Sequence, residues 1–180
     1  MSTERARFGM IHGRFQPFHN GHREYMQLSL ARCETLIVGI TNPDPGQILE
    51  EQTSAHRHLA ESNPFTFFER LRMIRESIVD DGIALDRVLI VPFPVNHPER
   101  WKYYVPRDHT HFVRVFSDWE QAKVDRLRAA GYRCEVLQPG APKEIEATEI
   151  RRRMSAGERW HDLVPPGVAR VIDQLQRDQG

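Results

Sequence analysis

The chain has 180 residues, 25 basic and 25 acidic side chains, and 39% hydrophobic residues. This length is enough to bury one sizeable core, so we expect a single domain over residues 1–180. The balanced charge argues against a nucleic-acid partner, and no apolar run is long enough to cross a membrane. Because the polar N-terminus carries no secretory signal, we expect a cytoplasmic protein.

Strand and helix patterns alternate along the chain, which predicts a single doubly wound, Rossmann-like α/β domain with a five-stranded parallel sheet. Apolar runs predict strands at 8–11, 35–40, 87–91, 111–116 and 132–137. Helices are expected at 22–32, 66–79, 117–131 and from 165 onward, with a short one around 101–105. Thr66 with Glu69 and Ser117 with Glu120 have the spacing of capping boxes.

Residues 13–22 read Gly-Arg-Phe-Gln-Pro-Phe-His-Asn-Gly-His and form a predicted strand–loop–helix junction. A helix N-terminus offers unpaired N–H groups and partial positive charge, which favour phosphate. His19 and His22 are three apart, so in a first helical turn they share a face, and each can donate a hydrogen bond to phosphate. Gly13 and Gly21 are expected to leave room for a nucleotide. The alternative is a turn with two surface histidines.

A second motif covers residues 145–154, Ile-Glu-Ala-Thr-Glu-Ile-Arg-Arg-Arg-Met. Thr148 is the predicted N-cap of a helix, with Arg151 and two further arginines just inside it. Guanidinium groups match phosphate oxygens and stay charged. A solvated charge run is the alternative, but the position after the last strand favours a functional role, above all for Arg151.

The first motif resembles the H-x-G-H motif of the nucleotidylyltransferase superfamily, and most closely its archaeal-type nicotinamide mononucleotide (NMN) adenylyltransferase branch. The second motif is similar to the branch's I-S-S-T-x-x-R motif, which Ile145, Thr148 and Arg151 match. Glu146 and Ala147 stand where the family usually has small hydroxyl residues or glycine. The resemblance extends over nearly the whole chain.

The resemblance implies transfer of a nucleoside monophosphate from a nucleoside triphosphate to a small anionic acceptor, with release of pyrophosphate. It implies Mg²⁺ as cofactor, carried by the triphosphate without a dedicated protein site, and a possible homo-oligomer. The implied catalytic residues are His19, His22 and Arg151. The implied nucleotide-binding residues are Gly13, Arg14, Phe15, Gly21 and Thr148, and the implied acceptor-binding residues are Arg70 and Trp101. His109 and His111 are two apart, but no third ligand suggests a metal site there.

The departures from the family concentrate around the acceptor. The approach to Trp101 reads Pro-Val-Asn-His-Pro-Glu-Arg at residues 94–100, which does not keep the Asp and Asn pattern of the branch, and Ser117-Asp118-Trp119-Glu120 replaces its Ser-Gly-Asn-Pro turn. A pocket built to hydrogen-bond a carboxamide discriminates through those polar groups, so their loss predicts an acceptor other than NMN. The connection 41–64 carries His56, Arg57 and His58. It is either a solvated loop or a lid that brings positive charge over an anionic substrate.

Three functions stay open. The first is transfer to a small phosphate or phosphonate, with CTP slightly preferred over ATP, because superfamily members with small acceptors are often cytidylyltransferases, including some of natural-product phosphonate pathways. The second is an NMN adenylyltransferase that makes NAD from ATP and NMN. The third is a non-catalytic nucleotide sensor, which the presence of both histidines and Arg151 disfavours.

Overall fold

The computed structural model describes residues 4–47, 59–137 and 145–179. Within them, parallel strands form a five-stranded sheet of order β3-β2-β1-β4-β5. The strands are β1 (Ala6–Gly13), β2 (Cys33–Thr41), β3 (Val88–Phe93), β4 (Thr110–Arg114) and β5 (Arg133–Leu137). This confirms the predicted fold class.

The helices that cover the sheet are α1 (Asn20–Leu30), α2 (Phe67–Asp80), α3 (Asp118–Ala129), α4 (Ala147–Ala156) and α5 (Pro166–Gln179). The predicted capping box of α2 is present, because the Glu69 N–H donates to Thr66 Oγ1 at 3.2 Å and the Thr66 N–H donates to Glu69 Oε2 at 2.8 Å. The second predicted box is wrong in detail. Ser117 is the N-cap of α3, but its hydroxyl pairs with the Glu120 carboxylate instead of a backbone N–H.

Several predicted boundaries shift. β1 is longer than predicted at both ends, and α1 begins at Asn20, two residues early. β3 continues through Pro92 to Phe93, two residues beyond the predicted end at 91. Since β3 is an edge strand, a residue without an N–H is tolerated there. The short helix expected around 101–105 is a 3₁₀ helix at Pro98–Tyr103.

The core has two parts, because side chains alternate between the two faces of each strand. Ile11 belongs to a large cluster that also contains Ile74 of α2 and Val168 of α5. Met10, one residue earlier, belongs to a smaller cluster with Val124 of α3. We call the second group the α3-side cluster; it comprises Met10, Ile37, Phe93, Trp101, Val105, Val113, Val124 and Leu127.

The sheet order places the candidate site. From β1 the chain adds β2 and β3 on one side and later β4 and β5 on the other, so the order reverses between β1 and β4. In open α/β sheets, nucleotides bind at the carboxyl ends of the strands beside this switch point. The loop that follows β1 contains residues 13–22, which puts the first motif there.

Some predictions fall outside the described residues. They concern the possible lid at His56, Arg57 and His58 and the side chain of Trp119. Among the helices that the structure describes, none combines the length and apolar character needed to cross a membrane.

Candidate active site

The two motif histidines build the start of α1 together. His19 is the N-cap and His22 is the third residue of the helix, so only His22 lies within the first turn, contrary to the prediction for both. The Gly21 N–H donates to His19 Nδ1 at 3.1 Å, and the His19 N–H donates to His22 Nδ1 at 3.3 Å. The two rings stack with centroids 3.6 Å apart. The histidines therefore form a capping box with each other.

This arrangement fixes the tautomer of both rings. Because each Nδ1 accepts a backbone N–H, the proton of each neutral imidazole is on Nε2. These two bonds commit the backbone N–H groups of His19 and Gly21 to imidazoles. The Nε2–H groups are thus the donors that these two rings can offer to an anion.

The space beside the two motif glycines is filled by the motif itself. A Cβ on Gly13 would be 3.0 Å from Cε1 of Phe15, and a Cβ on Gly21 would be 3.0 Å from Cε1 of His19. Phe15 is buried and adopts a positive φ of 52°. Both glycines therefore allow the aromatic side chains to fold back onto the loop. Nucleotide contact by Gly13, Phe15 and Gly21 stays a prediction.

Gln16 joins three segments of the site, and sequence reasoning did not single it out. Its side-chain amide donates to the Phe65 carbonyl at 2.9 Å and accepts the Phe65 N–H at 3.0 Å, which ties the loop to the residues before α2. Its own carbonyl accepts a bond from Arg151 Nη1 at 2.7 Å. The only signal in the sequence was its place inside the motif.

Arg151 reaches this loop from α4. The helix begins at Ala147 with Glu146 as N-cap and no capping bond from its side chain, so the prediction of Thr148 as N-cap is wrong. Thr148 is the second residue of the helix, and its hydroxyl accepts a bond from Arg151 Nη2 at 3.3 Å. Partial burial lowers the pKa of Arg151.

The other two arginines of the triplet differ from Arg151 in their partners. Arg152 and Arg153 each contact the Glu149 carboxylate at 2.8 Å, and Arg152 also pairs with Glu158 at 2.8 Å. Within the described residues, Arg151 has no carboxylate partner. The structure therefore separates one arginine that faces the first motif from two that neutralise acidic side chains on the helix surface.

Arg70 holds the carboxyl ends of β1 and β2 together. Its side chain is 1% exposed and donates to the carbonyls of Arg14 and Thr41 at 2.8 Å, of Asn42 at 2.9 Å, and of Thr66 at 3.1 Å. Burial lowers its pKa to about 10. Although Arg70 lies in the first turn of α2 next to Glu69, the backbone carbonyls draw its side chain inward. Contact with an acceptor stays a prediction.

Arg14 and Trp101 flank this region. The Arg14 guanidinium lies 3.4 Å from the Ser62 carbonyl and 3.5 Å from Asn63 Oδ1, so it spans from the loop to the segment before α2. Trp101 is buried, and its indole N–H donates to the Pro94 carbonyl at 2.9 Å. Its donor is thus committed to backbone, which leaves the ring faces for packing.

Three histidines lie buried beside Trp101. The ring centroid of His111 lies 4.4 Å from that of His109, 5.7 Å from that of His12 and 6.2 Å from that of Trp101. Sequence reasoning noted the spacing of His109 and His111 but missed His12, which comes from a different strand. Burial lowers the pKa of all three, that of His111 to about 2. We call them the buried histidine cluster.

The arrangement suits transfer of an anionic group. Imidazole and guanidinium donors converge on the loop after β1 from α1 and α4, and the described residues contain no group of three or more His, Cys, Asp and Glu side chains that could hold a metal ion. Imidazole and guanidinium donors of this kind can position an anionic group and stabilise charge on it, as in phosphoryl transfer generally.

Comparisons with known proteins agree with this geometry. Residues 10–153 match the family model described as cytidylyltransferase-like. The chain is 47% identical over 180 residues to a phosphonoformate cytidylyltransferase of Streptomyces viridochromogenes, covering 99% of this chain and 98% of that protein. It is 34% identical over 172 residues to a nicotinamide-nucleotide adenylyltransferase of Saccharolobus solfataricus, covering 95% and 92% of the two chains.

A solved structure shows the same fold. The bifunctional NMN adenylyltransferase/ADP ribose pyrophosphatase of Francisella tularensis superimposes with a TM-score of 0.64 at 20% identity, over 88% of this chain and 45% of that one. A second structure of that protein contains AMP and a manganese ion. The near-full-length similarity to transferases supports an enzyme over a nucleotide sensor. With the H-x-G-H histidines and Arg151 assembled at the switch point, the chain belongs to the cytidylyltransferase-like family and is a nucleotidylyltransferase.

Proposed function

We propose that the enzyme transfers a cytidylyl group from CTP to a small phosphonate of the phosphonoformate type and releases pyrophosphate. The observation that carries the proposal is a contrast within the site. His19 and His22 stack at the start of α1, and Arg151 binds the Gln16 carbonyl in the loop before it, whereas imidazole and aromatic rings surround Trp101. The 47% identity to a phosphonoformate cytidylyltransferase supports the same acceptor class.

In the proposed step, a phosphonate oxygen of the acceptor attacks the α-phosphorus of the nucleotide. A P–O bond forms there, and the bond to the pyrophosphate oxygen breaks. A phosphate monoester has its second pKa at about 6, so a comparable acceptor is already ionised near neutral pH and no general base is required. The Nε2–H groups of His19 and His22 donate to the triphosphate and stabilise the charge that develops on it.

Arg151 and the start of α4 are proposed to hold the β- and γ-phosphates, with Arg14 helping to position them. Mg²⁺ would reach the site bound to the triphosphate, where it neutralises phosphate oxygens. The donor set fits this mode of binding, because N–H and guanidinium groups bind the anion and leave the metal to its phosphate ligands. Thr148 supports Arg151 through their 3.3 Å hydrogen bond.

The proposal also covers the setting of the reaction. We propose a cytoplasmic enzyme whose partners are a nucleoside triphosphate and a small anionic acceptor, without a nucleic-acid or membrane partner, and a homo-oligomer like those of its family.

A pyrophosphate-release assay tests the substrates directly. CTP, ATP, GTP and UTP are each combined with phosphonoformate, methylphosphonate or NMN, and the His19→Ala variant serves as the inactive control. We expect CTP with phosphonoformate to give the highest kcat/KM. Efficient turnover of ATP with NMN and of no phosphonate would instead establish the second candidate, which the 34% identity to a nicotinamide-nucleotide adenylyltransferase favours.

A further inference from the structure

The buried histidine cluster lies on the face of the sheet that carries the α3-side cluster. His12 is the next-to-last residue of β1, directly before Gly13. It shares a strand face with Met10, and His111 of β4 is the register partner of Met10. Both histidines therefore project from the sheet on the side of the α3-side cluster, which also contains Trp101.

Ring contacts connect the loop after β1 to Trp101. The His12 ring lies 5.2 Å from Phe93 at the end of β3, and Phe93 lies 5.2 Å from Trp101. His111 contacts both His12, at 5.7 Å, and Trp101, at 6.2 Å. The nitrogens of His12 and His111 thus lie between the end of β1 and Trp101.

These nitrogens have unmet hydrogen-bonding capacity. His12, His109 and His111 are 7%, 0% and 0% exposed. Within the described residues, His12 Nε2, His109 Nε2 and both ring nitrogens of His111 have no hydrogen-bond partner. Buried polar atoms without partners are rare in native proteins and require an explanation such as an absent ligand or water.

The surrounding charges indicate the sign of that ligand. The side chains that act electrostatically on His12 are Lys123 and Arg126 of α3 together with the other two histidines, and Lys123 and His109 act on His111. All of these groups are cationic or become so on protonation. Such a region disfavours a protonated imidazole but favours an anion that accepts hydrogen bonds from N–H groups.

We propose that His12 and His111 determine acceptor specificity by donating hydrogen bonds to a second anionic group, a carboxylate, of a compact phosphonate acceptor. This inference rests on the proposed function and names the part of the acceptor that the enzyme reads. The phosphonate remains with the nucleotide-binding side, while the carboxylate meets the imidazoles. NMN has a neutral carboxamide on this side and gains less from the positive surroundings.

The test compares two acceptors that differ in the carboxylate. Phosphonoformate carries it and methylphosphonate does not, so the ratio of their kcat/KM values with CTP measures its recognition. His12→Phe and His111→Phe keep a flat ring but remove the nitrogens. We expect each to lower that ratio about 10- to 100-fold, the size of a lost hydrogen bond to a charged group, with the CTP KM within about 2-fold of wild type.

Matched variants separate recognition from damage to the fold. His161→Phe changes an exposed histidine paired with Asp173 at 3.0 Å and should leave the ratio unchanged. His12→Gln keeps a donor and should retain more of the preference than His12→Phe. The Tm of His111→Phe should equal or exceed that of wild type, since an apolar ring replaces orphaned polar atoms. If a Phe variant does not fold, the corresponding Leu variant replaces it.

The outcomes distinguish this inference from the proposed function. A wild-type enzyme that turns over neither phosphonate overturns both. A wild-type enzyme that prefers phosphonoformate, with the same preference ratio in both Phe variants, overturns only the role of the histidines. A ratio that falls in His161→Phe as far as in His12→Phe also contradicts it, because the effect would not be local.

Discussion

Replacing Arg70 by Met tests whether this residue holds the site together or contacts the acceptor. The guanidinium is 1% exposed and donates to four backbone carbonyls, three of which lie at or directly after the carboxyl ends of β1 and β2. Methionine fills much of the same volume but donates nothing. The carbonyls of Arg14, Thr41 and Asn42 then lose their buried donor.

The expected cost follows from the number of bonds lost. A hydrogen bond from a charged donor contributes about 1.5–3 kcal/mol, and three carbonyls lose such a bond. Because the substitution also removes a buried charge, the desolvation cost of that charge is no longer incurred and part of the loss is recovered. We therefore expect the free energy of unfolding to fall by about 3–5 kcal/mol. For a chain of this size, each 1 kcal/mol shifts Tm by about 2–4 °C. Arg70→Met should therefore unfold about 6–20 °C below wild type.

Thermal and urea unfolding measure this effect, with Arg72→Met as the matched control. Arg72 is on the same helix but makes an exposed hydrogen bond to Gln174 Oε1 at 2.8 Å, so its loss should change stability by less than about 0.5 kcal/mol. Arg70→Lys keeps the charge but lacks the planar fork, and its Tm should fall between those of wild type and Arg70→Met.

The opposite pattern would refute this reasoning. An Arg70→Met protein that unfolds within about 1 °C of wild type, with a raised acceptor KM, would show that the four carbonyl bonds contribute little. It would restore the role in acceptor binding that the family resemblance implies for Arg70.

Three further predictions concern catalysis and pH. His19→Ala and His22→Ala should each lower kcat for pyrophosphate release by about 100- to 1000-fold, and near-normal turnover would exclude their stabilisation of charge. Arg151→Ala should lower kcat/KM for CTP more than Arg152→Ala, whose guanidinium pairs with two carboxylates; equal losses would indicate a diffuse electrostatic role. The folded-state pKa of His111 lies below its unfolded value, so only the unfolded chain gains this proton as pH falls from 6.5. Between pH 6 and 4, the free energy of unfolding measured in urea should therefore fall more steeply for wild type than for His111→Phe, by about 1.4 kcal/mol per pH unit. Equal slopes of the two stability curves against pH would contradict this.

The sequence correctly predicted the features that depend on residues close together in the chain. The capping box of Thr66 and Glu69 involves residues three apart, and the spacing of the apolar residues on α2 and α5 follows from the helix period. The first motif was likewise placed correctly, since a strand, a loop and a helix follow one another directly. In each case the partners are near neighbours in the chain.

The remaining features depend on which of several residues begins a helix, or on contacts with residues far away in the chain. Thr148 has a good capping side chain, but α4 starts one residue before it, and sequence spacing alone does not decide which residue begins a helix. Arg70 looks like a surface residue next to Glu69 until the ends of β1 and β2 bring their carbonyls to it. The buried histidine cluster combines residues of separate segments, so only the parallel register of β1 and β4 brings it together.

The mutual capping of His19 and His22 has a consequence for the dynamics of the enzyme. The atoms that hold the first turn of α1 belong to the same rings that are proposed to bind the triphosphate. Fraying of that turn separates the stacked imidazoles and removes both donors at once, even while the sheet stays folded. Helix ends open at a lower free-energy cost than the core. The stacked arrangement of the two imidazoles is therefore in a local equilibrium with a frayed one, separate from the global unfolding of the protein. On the proposed mechanism, a bound triphosphate that contacts both rings would close this equilibrium, so that the nucleotide would order the helix terminus that binds it.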